Sequence, residues 1–493
     1  MTADPTESAV LAKTPTGLFI AGEWTEAEGG TRFDVVDPAT GEALCTVADA
    51  SAADGARALD AAAEAQADWA RTPPRERGEI LRRAFDLVTE RADDFALVMT
   101  LEMGKPLVES HGEVSYGAEF LRWFSEEAVR IGGSYTTAPD GRNRLLTLKR
   151  PVGPSLMITP WNFPLAMVTR KVGPAVAAGC TMVLKPSELT PLTALLFTEV
   201  MREAGLPAGV LNVIPTTDAP GVTGPLIADE RLRKLSFTGS TAVGKALIAA
   251  SAQNVLRVSM ELGGNAPFIV FDDADLDAAI EGALAAKLRN GGQACVAANR
   301  FLVQSGVVEE FTTRLAEAMG GYAVGRGTEA GTRLGPLINP AAVAKVEALV
   351  TDAVASGASV VTGGSSPARD GYFYSPTVLA GVSASSAILS EEVFGPVAPV
   401  TVFETEDQAV SLANATPFGL VGYVFTADLE RALRLSESLE SGMLGINAGV
   451  VSNPAAPFGG VKQSGLGREG GAEGIEEYLE TRYVGIADPT RRH

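Results

Sequence analysis

From Pro154 to about residue 445 the chain alternates short apolar runs with helix-forming segments, and this alternation limits the fold more than any other feature. Strand-like runs fall at 156–159, 181–185, 211–214, 234–237 and 255–260, with helical segments at 171–178, at about 190–204 and from near Thr241. Runs that are apolar throughout, set between amphipathic helices, predict a parallel sheet covered on both faces. A second block of the same kind starts at 268–271 and continues through an Ala-rich helix striped by Leu276, Ile280 and Leu284. At 493 residues the chain is too long for one core, so two or three α/β domains are expected, with no internal repeat or low-complexity linker between them.

The flanking regions read differently. Residues 1–15 are small and polar and predict a loose tail. Short strands are expected at 17–24 and 33–37, and Ser51 is a candidate N-cap for an Ala-rich helix. Ile80, Leu81, Phe85 and Val88 stripe the next helix. A further helical block, at about 112–131, carries Tyr116, Phe120, Trp123 and Phe124 on one side, a pattern that reads as core filling and not as a cofactor box. Two strand-like segments, 145–150 and 481–486, stand apart from the alternation. They suit either edge pairing across subunits or a surface hairpin.

Composition removes several classes of function. The net charge of −20, with no basic block, argues against binding nucleic acid or an anionic membrane. No apolar run reaches the roughly 18–20 residues that span a bilayer, and the N-terminus lacks a basic-then-apolar pattern, so a cytoplasmic protein is expected. The cysteines, Cys45, Cys180 and Cys295, are odd in number and widely spaced, which predicts neither a disulfide framework nor a metal cluster. With only two histidines, His111 and His493, a His-based metal site or a Ser–His–Asp hydrolase is nearly excluded.

Chemistry concentrates at predicted strand ends. Cys295 follows the turn-forming Asn290-Gly291-Gly292 and precedes small residues able to start a helix, where free amides would favour a thiolate. A nucleophile and a buried structural thiol both fit that stretch alone. Gly239 and Ser240 lie between a strand and a helix, a place where amides can meet a phosphate. Lys185 ends the neighbouring strand, outside which ligands bind in open parallel sheets, and Glu188 offers a carboxylate to ribose hydroxyls while repelling a 2′-phosphate. Glu261 is a candidate general base and the Asn162 amide a candidate oxyanion donor. The turns at 391–396 and 457–460 are placed to shape a cleft.

Six segments carry a resemblance: Thr159-Pro160-Trp161-Asn162-Phe163-Pro164, Lys185-Pro186-Ser187-Glu188, Phe237-Thr238-Gly239-Ser240-Thr241, Glu261-Leu262-Gly263-Gly264, Gly292-Gln293-Ala294-Cys295 and Glu392-Val393-Phe394-Gly395-Pro396. In this order, over about residues 18–487, they resemble the aldehyde dehydrogenase superfamily. The stretch from Gly445 through Ser452 and Phe458 to Gly470 is similar to that of succinate-semialdehyde dehydrogenases.

The resemblance implies a Rossmann-type cofactor domain at 18–138 and 158–263, a catalytic α/β domain at 264–460, a small β oligomerisation arm at 139–157 and 480–493, and a return to the cofactor domain at 461–479, after a tail at 1–17. By the same similarity Cys295 attacks an aldehyde, Asn162 holds the oxyanion, Glu261 activates the water that hydrolyses the thioester, and Lys171 and Glu469 relay protons. The positions implied for the cofactor are Ile158, Thr159, Pro160, Trp161, Lys185, Ser187, Glu188, Gly224, Phe237, Gly239, Ser240, Leu262, Glu392 and Phe394. NAD is favoured by Glu188, with NADP also possible. One departure affects the adenine side: Pro215-Thr216-Thr217-Asp218 stand where the family has an early glycine, and Gly221 and Gly224 come later. Arg170, Arg289 and Ser452 match the semialdehyde carboxylate anchor, with Phe163 and Phe458 beside it. Glutarate semialdehyde and an aminoaldehyde are the alternative substrates, and a non-catalytic relative is disfavoured by the intact Cys295, Glu261 and Asn162. No metal is expected, and a homodimer or homotetramer is. Ala297 stands where some relatives carry a second cysteine, so a disulfide switch is not expected.

Overall fold

A computed structural model describes residues 5–383, 385–488 and 490. Five parallel strands form the centre of an eight-stranded sheet, in the order Leu211–Val213, Met182–Lys185, Ser155–Ile158, Lys234–Thr238, Arg257–Glu261. Antiparallel Leu18–Ile20 and Glu23–Thr25 extend one side and Gly465–Leu466 the other. Successive strand residues enter different cores. Met157, Met182 and Leu184 pack with the helices Pro74–Glu90, Leu107–Glu127, Ala166–Ala178 and Leu192–Glu203. Leu156, Ile158, Val183, Leu235 and Phe237 face Ala52–Arg71, Ala219–Ala228 and Thr241–Ser251. With both faces covered, the strands have no polar side to alternate with, hence the continuous apolar runs.

The second block is a seven-stranded sheet in the order Ser359–Thr362, Thr377–Ala380, Val397–Phe403, Ala298–Gln304, Ala266–Val270, Val421–Phe425, Met443–Ile446, parallel except at the first pair. Ser51 caps its helix as expected: its hydroxyl accepts from the Asp54 amide and the Asp54 carboxylate accepts from the Ser51 amide.

Three expectations are changed. Residues 1–4 lie outside the described residues, but Pro5–Lys13 is a helix and not a loose tail. Its pattern is weak, and long-range ion pairing holds it: both Glu7 carboxylate oxygens meet Arg326 at 2.9 Å, and Arg326 also meets Asp37 at 2.9 Å. The outlying strands pair with each other inside the chain, Leu479–Ala487 against Asn143–Pro151 over nine residues, with Ser134–Thr137 as a third strand. The arm strand ends at Pro151, and Ser155–Ile158 belongs to the eight-stranded sheet. Finally, the residues after Cys295 form the strand Ala298–Gln304, not a helix. Among the described residues no helix is long and apolar enough to cross a membrane.

Candidate active site

Chain order reverses between Ser155–Ile158 and Lys234–Thr238: the next two strands after the first lie to one side of it, the later two to the other. In open parallel sheets ligands bind beyond the strand ends at such a switch point. Here the register pairs Ile158 with Lys185, Phe237 with Ile158, and Thr238 with Glu261, so the residues that follow all emerge at one edge. A cleft of about 260 Å³ opens there, bordered by Pro160, Trp161, Gly239, Ser240, Leu262, Glu392 and Phe394 from the residues assigned to a cofactor. The Trp161 and Phe394 rings meet edge to face at 5.5 Å, and Phe394 takes a left-handed φ of 55° to reach that position.

Gly239 is dictated by space, since a Cβ would meet the Phe237 ring at 2.5 Å. Ser240 caps the helix Thr241–Ser251 by accepting from the Val243 amide. Glu392 accepts from the Gly264 amide at 3.2 Å; burial pushes its carboxyl up to about 7, against the pull of that amide, Lys345 and Lys287. Thr238, Gly263 and Val393, present in the six segments that carry the resemblance but given no role, also border the cleft, as do Met167 and Lys345, which the sequence did not single out. Lys345 donates to the Glu392 carbonyl at 2.5 Å from a helix more than forty residues earlier in the chain. Ile158, Thr159, Lys185, Ser187, Glu188, Gly224 and Phe237 do not line it. Lys185 and Glu188 pair with each other at 2.9 Å on an adjacent strand end, and Gly224 is exposed on the helix Ala219–Ala228.

Cys295 sits in a turn held from several sides. Asn290, Gly291 and Gly292 all have positive φ, 56°, 65° and 75°, and a Cβ on Gly292 would lie 2.3 Å from the Gly395 carbonyl. Gln293 accepts at its side chain from the Ile338 amide and at its backbone from Asn162 Nδ2, at 2.9 and 3.0 Å. The half-buried thiol borders two cavities at once, the cleft above and a second of about 220 Å³. The expected thiolate environment is absent because no helix starts there. Burial pushes the thiol up to about 12; Arg170 and Arg289 pull it down, and Glu392 and Glu261 add to the rise. These influences favour the thiol over the thiolate at rest.

Glu261 ends its strand in the first cleft with one carboxylate oxygen free of any hydrogen bond. Burial raises its carboxyl well above the usual range and Glu469 adds to this, against Arg170, Lys171 and Arg468. Glu469 behaves oppositely: despite burial, Lys171 and Arg170 hold it below the ordinary value. Lys171 donates to Glu469 at 2.5 Å and to Ser236 at 3.0 Å. Arg170 Nε meets the other Glu469 oxygen at 2.5 Å without hydrogen-bond alignment, and its guanidinium stacks 3.9 Å from the centre of the Phe458 ring.

The second cavity joins residues far apart in sequence. Arg170, Arg289, Ser452, Phe163 and Phe458, the five assigned to substrate, all border it. Lys105, Glu109, Glu113 and Tyr116 border it too, and none was marked as a site residue. Lys105 and Glu113 form a buried ion pair, each side chain 1% exposed. Lys105 also donates to the Asn162 carbonyl at 2.8 Å and lies 4.1 Å from the Phe163 ring. Glu113 accepts from the amides of Leu165 and Ala166, at the start of the helix that carries Arg170 and Lys171. Only the helical spacing of Glu109, Glu113 and Tyr116 hinted that these side chains share a face.

Known proteins match nearly the whole chain. A succinate-semialdehyde dehydrogenase of Paenarthrobacter nicotinovorans is 64% identical over 446 residues, 90% of this chain and 99% of that protein. An NADP+ succinate-semialdehyde dehydrogenase of Escherichia coli is 50% identical over 468 residues, 95% of this chain and 97% of that protein. The crystal structure of a succinate-semialdehyde dehydrogenase from Burkholderia pseudomallei matches with a TM-score of 0.95 at 51% identity, covering 98% of this chain and 99% of that one. The model of the aldehyde dehydrogenase family matches residues 24–484, a span that takes in both cavities and every residue bordering them, and the protein belongs to that family.

Proposed function

We propose that this NAD(P)-dependent aldehyde dehydrogenase oxidises succinate semialdehyde, or a similarly short ω-carboxy aldehyde, to the dicarboxylic acid. The observation that carries this reading is that Arg289 and Ser452 share with Cys295 a cavity of about 220 Å³. A guanidinium and a hydroxyl are the donors a distal carboxylate needs, and they face a thiol able to reach the aldehyde end.

The residues at the switch point suit a dinucleotide. Gly239 keeps the backbone open to a pyrophosphate at a helix N-terminus. A Cβ at Gly263 would come within 3.1 Å of the Glu392 carboxylate, so this edge leaves that acid free to meet a ribose. When bound, NAD(P)+ supplies the hydride acceptor. We infer that NAD is preferred, because the Glu188 carboxylate would oppose a 2′-phosphate.

Glu261, which borders the same cleft, takes the Cys295 proton and gives it up through Glu469 and Lys171, and the sulfur bonds to the aldehyde carbon. The charge that develops on oxygen is met by the Cys295 amide and by the Asn162 Nδ2 hydrogen not given to Gln293. Loss of hydride from that carbon leaves a thioester. Glu261 then takes a proton from water, whose oxygen attacks the thioester and expels the thiolate. Glu261's raised proton affinity suits a base that acts near neutrality, and Glu469 with Lys171 passes the proton on. A homodimer or homotetramer is supported by the exposed apolar side chains of the three-stranded arm, Tyr135, Leu148 and Ile486 on one face and Tyr483 on the other.

The test is steady-state oxidation of succinate semialdehyde beside butanal, with NAD and NADP. A kcat/KM at least tenfold higher for the semialdehyde is expected. In Arg289→Ala, KM for the semialdehyde should rise about 10- to 100-fold, as for a lost hydrogen bond to a charged group, with butanal little changed. Equal losses on both aldehydes would refute carboxylate recognition.

A further inference from the structure

Tyr116 stands on the helix Leu107–Glu127 one turn before Phe120, and the two rings pack edge to face at 5.0 Å. The ring is therefore core, as its helical spacing predicts. Its hydroxyl is not accounted for in that way. The Tyr116 oxygen is shielded from solvent and makes no well-formed hydrogen bond, with only the Ser452 hydroxyl close enough to interact, and the residue borders the cavity that holds Arg289, Ser452 and Cys295. A buried hydroxyl left unpaired is destabilising, so a retained one calls for a partner that arrives with a ligand.

The donors around it set the chemistry of that ligand. Arg170 also borders the cavity, but Glu469 faces its Nε and Phe458 covers its plane, leaving Nη2 as a second buried donor without a partner. Its charge is largely answered by Glu469. Arg289, by contrast, makes no ion pair among the described residues. An anion entering this end of the cavity thus meets one free guanidinium and two hydroxyls. A carboxylate has about four lone-pair sites, of which a bidentate arginine takes two, leaving two for hydroxyl donors.

We infer that Tyr116 is a substrate-binding residue whose hydroxyl donates to the distal carboxylate of the semialdehyde, beside Arg289 and Ser452. This rests on the substrate reading proposed above. Burial raises the proton affinity of the phenol, against the nearby charges of Arg170 and Arg289 and the Ser452 hydroxyl, and so favours the donor form.

Tyr116→Phe keeps the ring and its contact with Phe120 and removes only the hydroxyl. For succinate semialdehyde the variant's kcat/KM should fall about 10- to 100-fold, almost wholly through KM, the loss expected for a hydrogen bond to a charged group. For butanal, which has the same chain length and no carboxylate, it should change less than twofold. Succinate, as a competitive inhibitor, should weaken by a factor similar to that for the semialdehyde. A wild-type enzyme that treats the two aldehydes alike overturns the substrate reading and this inference with it. A selective wild type whose Tyr116→Phe variant keeps its full selectivity overturns this inference alone, as does an equal loss on both aldehydes.

Discussion

The buried pair Lys105–Glu113 offers the sharpest test of how the site is held. Neither residue touches Cys295 in the geometry above, yet Lys105 fixes the backbone of Asn162 and Glu113 fixes the first turn of the helix bearing Arg170 and Lys171. Lys105→Met removes a cation and leaves Glu113 charged in a dry site. Glu113→Gln keeps the acceptor for Leu165 and Ala166 but turns an amide toward Lys105. Breaking one member of a buried pair costs about 3–5 kcal/mol, because the survivor is left uncompensated. Relief of that strain moves Asn162, and a shift of about 1 Å in an oxyanion donor costs about 100-fold in rate, or about 2.7 kcal/mol. Each single variant should therefore lose about 100-fold in kcat/KM on butanal, a substrate chosen to keep the carboxylate anchor out of the measurement. In the double variant a neutral Met–Gln pair replaces the ion pair, and the Asn162 carbonyl keeps its bond from Asn290 Nδ2 at 2.9 Å. Its loss should stay near 100-fold, where independent effects would multiply to about 10,000-fold, so the cycle should show a coupling of about 2.7 kcal/mol. Multiplying losses would refute the account of the pair as one positioning unit.

Two further outcomes follow from the charges and the cysteine environment. Because burial holds the Cys295 thiol up at about 12, alkylation of the cofactor-free enzyme by iodoacetamide should quicken roughly tenfold per pH unit from pH 7 to 9 as the thiolate fraction grows; levelling below pH 8, followed by peptide mass spectrometry at Cys295, would contradict this. Glu188→Ser should raise kcat/KM for NADP relative to NAD by about 10-fold or more, as expected when a like charge is removed from beside a phosphate; an unchanged cofactor ratio would show that Glu188 does not set the preference.

Much of this protein was legible before any coordinates. The alternation from residue 154 onward specified a parallel sheet because strands covered on both faces must be apolar throughout, and the observed strands differ from the expected ones by only a residue or two at most ends. That Cys295 and Glu261 stand at the strand-end cleft was legible locally from turn glycines and a strand-end acid, whereas Glu392 was singled out only through the resemblance. What stayed hidden depended on contacts between distant segments. The helix Pro5–Lys13 is held by Arg326, more than three hundred residues away, and its own pattern is too weak to announce it. The raised proton affinity of Cys295 follows from burial and from charges on three distant segments, with only Arg289 near it in the chain. Tyr116 read as core filling and Lys105 did not stand out at all, because a helical face says which residues lie together but not what they lie against. The local sequence determined the elements and the reactive groups at their ends; the tertiary structure decided which of those groups share a cavity, because proximity, desolvation and the partner of a buried charge are properties of the assembled fold.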